Sequence, residues 1–158
     1  MPVKYRSGAL GALMDEYERA AFDLTRVIEK NNVEEFQRIR DTVTEDEDCR
    51  SFQTIMNHVL RSGYGYAISI RKSFGIEVSR PEIKVNSPQE AINELKKMLS
   101  YSAETLDEKW DMNYDEIDNT AVIARSGKKY DIESMLEHAI VHILRHRRQI
   151  EKFIRTID

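Results

Sequence analysis

The chain contains four histidines, and three of them, His138, His142 and His146, stand at steps of four residues. An α-helix turns about 100° per residue, so such a series climbs one side of it with a drift of about 40° per step. Neutral imidazole is a preferred ligand for zinc and its transition-metal neighbours. A His pair four residues apart can hold one ion through two nitrogens, as the HExxH helix of zinc proteases does. The same spacing also suits boundary histidines kept for packing, so the pair alone leaves both readings open.

The helix that carries them has its own apolar stripe, Ile132, Leu136, Ala139, Ile143, Ile150 and Ile154, which defines the buried side. Measured from Ile143, His146 lies roughly 60° from the core direction, His142 roughly 100° and His138 roughly 140°. His142 and His146 are therefore expected at the core edge, and His138 as a plain surface residue. Gln149 shares the His flank and is a candidate to fix an imidazole tautomer. Arg147 falls near the core direction, where an ion pair with a carboxylate of a neighbouring helix is expected.

The run Ser126-Gly127-Lys128-Lys129-Tyr130, followed by His142-Ile143-Leu144-Arg145-His146-Arg147-Arg148-Gln149-Ile150, resembles the carboxy-terminal signature of the DinB/YfiT-like superfamily of metalloenzymes. That signature is a Gly-Lys-Lys-Tyr-like approach and then HxxxHRGQ; here Arg148 stands in place of the Gly and is expected to crowd a neighbouring helix. The resemblance covers nearly the whole chain as helix order and the last third as motif. It implies an all-α, antiparallel four-helix bundle in which a third His from the second helix completes a three-His metal site. His58 sits where that ligand belongs, so the implied metal set is His58, His142 and His146. Zinc or nickel suits nitrogen ligands, and three imidazoles leave coordination positions open for substrate. Superfamily members include S-transferases and an isomerase that use low-molecular-weight thiols. The implied chemistry is first a thiol S-transferase reaction on a small-molecule substrate, and second a metal-dependent hydrolase. A homodimer is implied as well. The competing class is a non-enzymatic helical binding or interaction protein that keeps its histidines for packing.

Composition narrows the field. A chain of 158 residues suits a single domain, 1–158, and a third of charged residues with few Gly and Pro favours long solvated helices. A net charge of −4 offers no general attraction to phosphate backbones or anionic lipid, so neither nucleic acid nor a membrane is an expected partner. Cys49 is the only cysteine, and the early acidic residues Asp15, Glu16, Glu18 and Asp23 do not suit a signal peptide; a cytoplasmic location is expected.

Four helices are expected to position the site, over roughly 8–30, 45–74, 88–108 and 132–156. The first carries the stripe Leu10, Met14, Tyr17, Ala21, Leu24 and Ile28, and Asn31 can end it in a left-handed conformation. Val33, Phe36 and Ile39 are expected to pack loosely after it. In the acidic run 44–48, Thr44 and Glu47 have capping-box spacing, which outweighs a hard-metal cluster and starts the second helix there. On that helix His58 lies roughly 100° from its core direction, above Ser62, Gly65 and Ser69. This lane of small residues admits either a closely packed helix or a ligand pocket. Ser87, Pro88 and Glu90 start the third helix, and Asp131 caps the fourth. Between them, 110–129 reads as irregular with a small hairpin, long enough to change the up-down order, and Trp110, Tyr114 and Ile117 are expected to cap one end.

Overall fold

The computed structural model describes residues 4–156, and among these the chain is mostly helical with little sheet. Four long helices dominate: α1 (Gly8–Ile28), α3 (Phe52–Ser73), α4 (Pro88–Thr105) and α6 (Ile132–Arg155), with the short α2 (Val33–Gln37) and α5 (Tyr114–Asp118) between them. A two-stranded antiparallel hairpin, β1 (Val122–Ile123) and β2 (Lys129–Tyr130), pairs Val122 with Tyr130. No described helix is long and apolar enough to cross a membrane.

Three of the four long helices, α3, α4 and α6, start where a side chain satisfies a free amide, whereas Ser7 before α1 makes no such bond. Ser87 accepts from the Glu90 amide with Pro88 in the first turn, and Asp131 accepts from Ser134. The start of α3 corrects the expectation: it begins at Phe52, not near 45, and Ser51 and Thr54 form the capping box. Residues 44–50 contain one apolar side chain, Cys49, so a helix there would have no face to bury. The acidic run instead forms a 3-10 turn, Glu47–Cys49, capped by Asp46. Asn31 also acts otherwise than expected. Its side-chain amide donates to the carbonyls of Val27 and Ile28, satisfying the end of α1 without a left-handed backbone.

The long helices form a closed circuit of contacts, α1 against α6, α6 against α3, α3 against α4 and α4 against α1. Directions follow from the packing. Leu10 at the start of α1, Ile70 near the end of α3, Leu106 just past α4, and Ile132 and Leu136 at the start of α6 share one apolar cluster. Helices α1 and α6 therefore run one way, and α3 and α4 the other. The order-changing connection is residues 74–87, not 110–129 as expected. This segment runs back along α3: the Ile76 amide donates to Arg71, and the Val85 amide donates to Asn57. Residues 106–131 stay at one end, where Ile117 and Val122 are buried and Trp110 is half-buried. Tyr114, expected to help cap that end, is exposed.

The main core is built from Tyr17, Leu24, Phe52, Met56, Leu95, Met98, Ile143 and their neighbours. Phe36 is fully buried in it, so α2 is anchored firmly and not loosely, while Val33 and Ile39 are exposed. Ile154, assigned to the stripe of α6, is exposed; half-buried Phe153 takes the inward position and stacks on Phe52. Close helix approach occurs at Gly63, where an added Cβ would meet Met98 Sδ at 2.5 Å, and not along Ser62, Gly65 and Ser69.

Candidate metal centre

The antiparallel contact of α3 with α6 brings His58, His142 and His146 together. One ring nitrogen from each lies within 4.8 Å of the others. The closest pair is Nε2 of His58 and Nε2 of His142, 3.0 Å apart. His142 and His146 are buried, and His58 is half-buried.

The outer nitrogens of two of these rings are tied by oxygen acceptors. Nδ1 of His58 lies 3.1 Å from Asp48 Oδ2, and Nδ1 of His146 lies 3.0 Å from Gln149 Oε1. A carboxylate and an amide oxygen only accept, so each Nδ1 donates and the matching Nε2 is left as a bare lone pair. Asp48 is itself held by Arg61 at 2.7 Å. Nδ1 of His142 has no such acceptor among the described residues, so Nε2 of His142 can donate to the bare Nε2 of His58 at 3.0 Å, and a cation would take the place of that proton. With Zn–N bonds of about 2.0–2.1 Å, tetrahedral ligand nitrogens are roughly 3.3 Å apart. The 3.0 Å pair and the 4.8 Å limit of the set lie on either side of this separation. Three histidines thus lie close enough to hold a metal ion.

Electrostatics favour the ligating protonation state. Burial, helped by the neighbouring His146 and His58, pushes the His142 imidazole down to about 3. Burial also lowers His146, against the bond to Gln149, which raises it. Both rings are held neutral at pH 7.

His138 does not join the three, yet it is not the plain surface residue expected. It is half-buried, edge-on to Tyr66 with ring centroids 5.3 Å apart and tilted against Tyr130 at 5.6 Å. Tyr66 also meets the edge of His142 at 5.7 Å and screens it from the hairpin side. The turn-angle estimate placed His142 further out than His146 because it counted one helix alone; packing of α3 and Tyr66 buries both alike.

His58 borders two openings. On one side a cavity of about 260 Å³ includes Ser62, Gly65, Tyr66 and Ser69 in its wall. On the other, His58, His142 and His146 face a groove with Asp46, Cys49, Arg145, Arg148 and Gln149. Arg148 points to solvent there and crowds no helix, contrary to expectation. Arg147 pairs with Asp23 of α1 at 3.2 Å.

Asp48, Arg61 and Tyr66 were not assigned to the site from sequence. Asp48 lies ten residues before His58, within the 3-10 turn and outside α3, so no helical register links the two. Tyr66 has the spacing of a core residue and carried no separate signal. No protein-family model matches the chain, and no curated protein is significantly similar to it.

Proposed function

We propose that His58, His142 and His146 hold one divalent ion, zinc or nickel, in a four-helix bundle of the DinB/YfiT-like type, and that the chain is a metal-dependent enzyme using a low-molecular-weight thiol on a small electrophilic substrate. The observation that carries this reading is the pair of Nε2 atoms facing each other at 3.0 Å, with the far nitrogen of His58 tied to Asp48. When bound, the ion would supply Lewis acidity, stabilising a thiolate or polarising a carbonyl at neutral pH.

The chain's own contribution is positioning. Asp48 and Gln149 set the tautomers of His58 and His146, and Arg61 holds Asp48 in place. Tyr66 keeps water from one edge of His142. The cavity beside Ser62, Gly65 and Ser69 gives a small molecule access to His58 without passing through the core. Pairing of two copies, implied by the resemblance, has exposed apolar side chains available in Phe22 of α1 and Val141 and Leu144 of α6.

The test is a conjugation screen on zinc-loaded and nickel-loaded protein, with low-molecular-weight thiols and a panel of alkyl halides and epoxides. Metal-dependent loss of free thiol supports the reading. Ester or amide cleavage without thiol would move it to hydrolysis. Three imidazoles that titrate independently and take up no metal would leave a helical binding protein instead.

A further inference from the structure

We propose that the cavity beside His58 takes the anionic group of a substrate or co-substrate, a carboxylate or a phosphate, held between Arg80 and Arg125. This assignment rests on the metal reading for its orientation, since it turns the remainder of the ligand towards His58.

Three arginines, Arg61, Arg80 and Arg125, border the cavity together with a single carboxylate, Asp48. Arg61 is neutralised by Asp48 at 2.7 Å, and the other oxygen of Asp48 accepts from His58. Arg80 and Arg125, both exposed, have no ion-pair or hydrogen-bond partner among the described residues, and they line one open cavity from two separate elements. Arg80 comes from the segment 74–87 that runs back along α3, and Arg125 from the hairpin between β1 and β2. Two guanidinium groups at one opening repel each other unless an anion sits between them, and the planar fork of each matches a carboxylate or phosphate edge.

Gly65 provides the second observation. A Cβ at this position would lie 2.7 Å from the Arg80 guanidinium, so the absence of a side chain lets Arg80 lie against α3 at the cavity wall. The remaining wall supplies the Ser62 and Ser69 hydroxyls, which orient a polar ligand in either donor or acceptor sense. The volume, about 260 Å³, is below the range of roughly 300–1,000 Å³ usual for drug-sized ligands and suits a small metabolite.

The experiment uses zinc-loaded full-length protein at low ionic strength. Succinate, inorganic phosphate and the neutral succinamide are titrated calorimetrically into wild type, Arg80→Gln, Arg125→Gln and the double variant, and zinc content is measured on every sample. At least one of the two dianions should bind at least about tenfold more tightly than succinamide, with each single change costing about tenfold and the double change about a hundredfold. Zinc content should stay constant, and the tighter of succinate and phosphate identifies the anion class. Equal affinity in wild type and double variant overturns the assignment, because the anion then binds the metal or the opposite groove. Failure of both dianions to exceed the neutral diamide overturns it too. Repeating the titration after chelation separates the two readings. Arginine-dependent binding in protein that never takes up zinc sustains this site while the metal reading fails.

Discussion

Replacement of Asp48 by Ala should weaken zinc binding without touching a ligand. The carboxylate accepts from Nδ1 of His58 at 3.1 Å and from Arg61 at 2.7 Å, so it fixes both the proton position and the ring plane of His58. Removing an oxygen partner of a ligating His commonly costs about 10–100-fold in metal affinity, or about 1.4–2.7 kcal/mol. The side chain of Asp48 is 40% exposed and that of His58 30%, so water takes over part of the lost bond. Sharing of the carboxylate with Arg61 weakens its hold on His58 further. The expected loss is therefore at the low end, about tenfold for Asp48→Ala and about threefold for Asp48→Asn, which keeps an acceptor oxygen but no charge. Competition against a chromogenic zinc chelator measures these changes, with circular dichroism confirming that helix content is unchanged. A zinc Kd for Asp48→Ala within about twofold of wild type would refute the reasoning, since an oriented ligand cannot lose its orienting partner at no cost.

Other outcomes follow from the same geometry. In metal-free protein His142 is neutral with its pKa near 3, against an unfolded value of about 6.5, so the unfolded state binds the extra proton between those limits. Stability should be fully present above pH 6.5 or so and fall by about 1.4 kcal/mol per pH unit below it, seen as a declining Tm that His142→Gln flattens; a constant wild-type Tm from pH 7 to 5 would contradict this. Gly63→Ala drives a Cβ to within 2.5 Å of the Met98 sulfur, so this fully buried side chain must shift. It should cost about 1–3 kcal/mol in thermal unfolding, and an unchanged Tm would show that α3 and α4 separate easily. Gly65→Leu should displace Arg80 and abolish dianion binding with zinc content intact, whereas retained binding would count against the cavity.

The elements whose signal is local could be read from the chain alone. Ser87-Pro88 with Glu90, and Asp131 before Ile132, mark helix starts through short-range chemistry, and the structure places α4 and α6 there. The histidines of α6 could be ordered around their helix for the same reason, because a fixed turn per residue relates them. What could not be read depends on a second element. The acidic run 44–48 has the composition of a helix start, and only the fold shows that Asp48 reaches His58. The burial of His142 depends on Tyr66, and the partial burial of His138 on Tyr66 and Tyr130, none of which shares its register. The segment 74–87 has no periodicity of its own, yet its path along α3 makes α4 run parallel to α3 and delivers Arg80 to the cavity.

Metal content of the purified chain and of four single variants decides whether the three imidazoles form a metal site. Protein prepared without chelator and loaded with a small excess of zinc should retain one ion per chain after desalting, by elemental analysis. His58→Ala, His142→Ala and His146→Ala should each lose most of it, and His138→Ala should keep it, because the first three place ring nitrogens within 4.8 Å of one another and His138 is not among them. Wild-type protein that retains no zinc or nickel, or a His138→Ala variant that loses the ion while His146→Ala keeps it, would contradict the assignment.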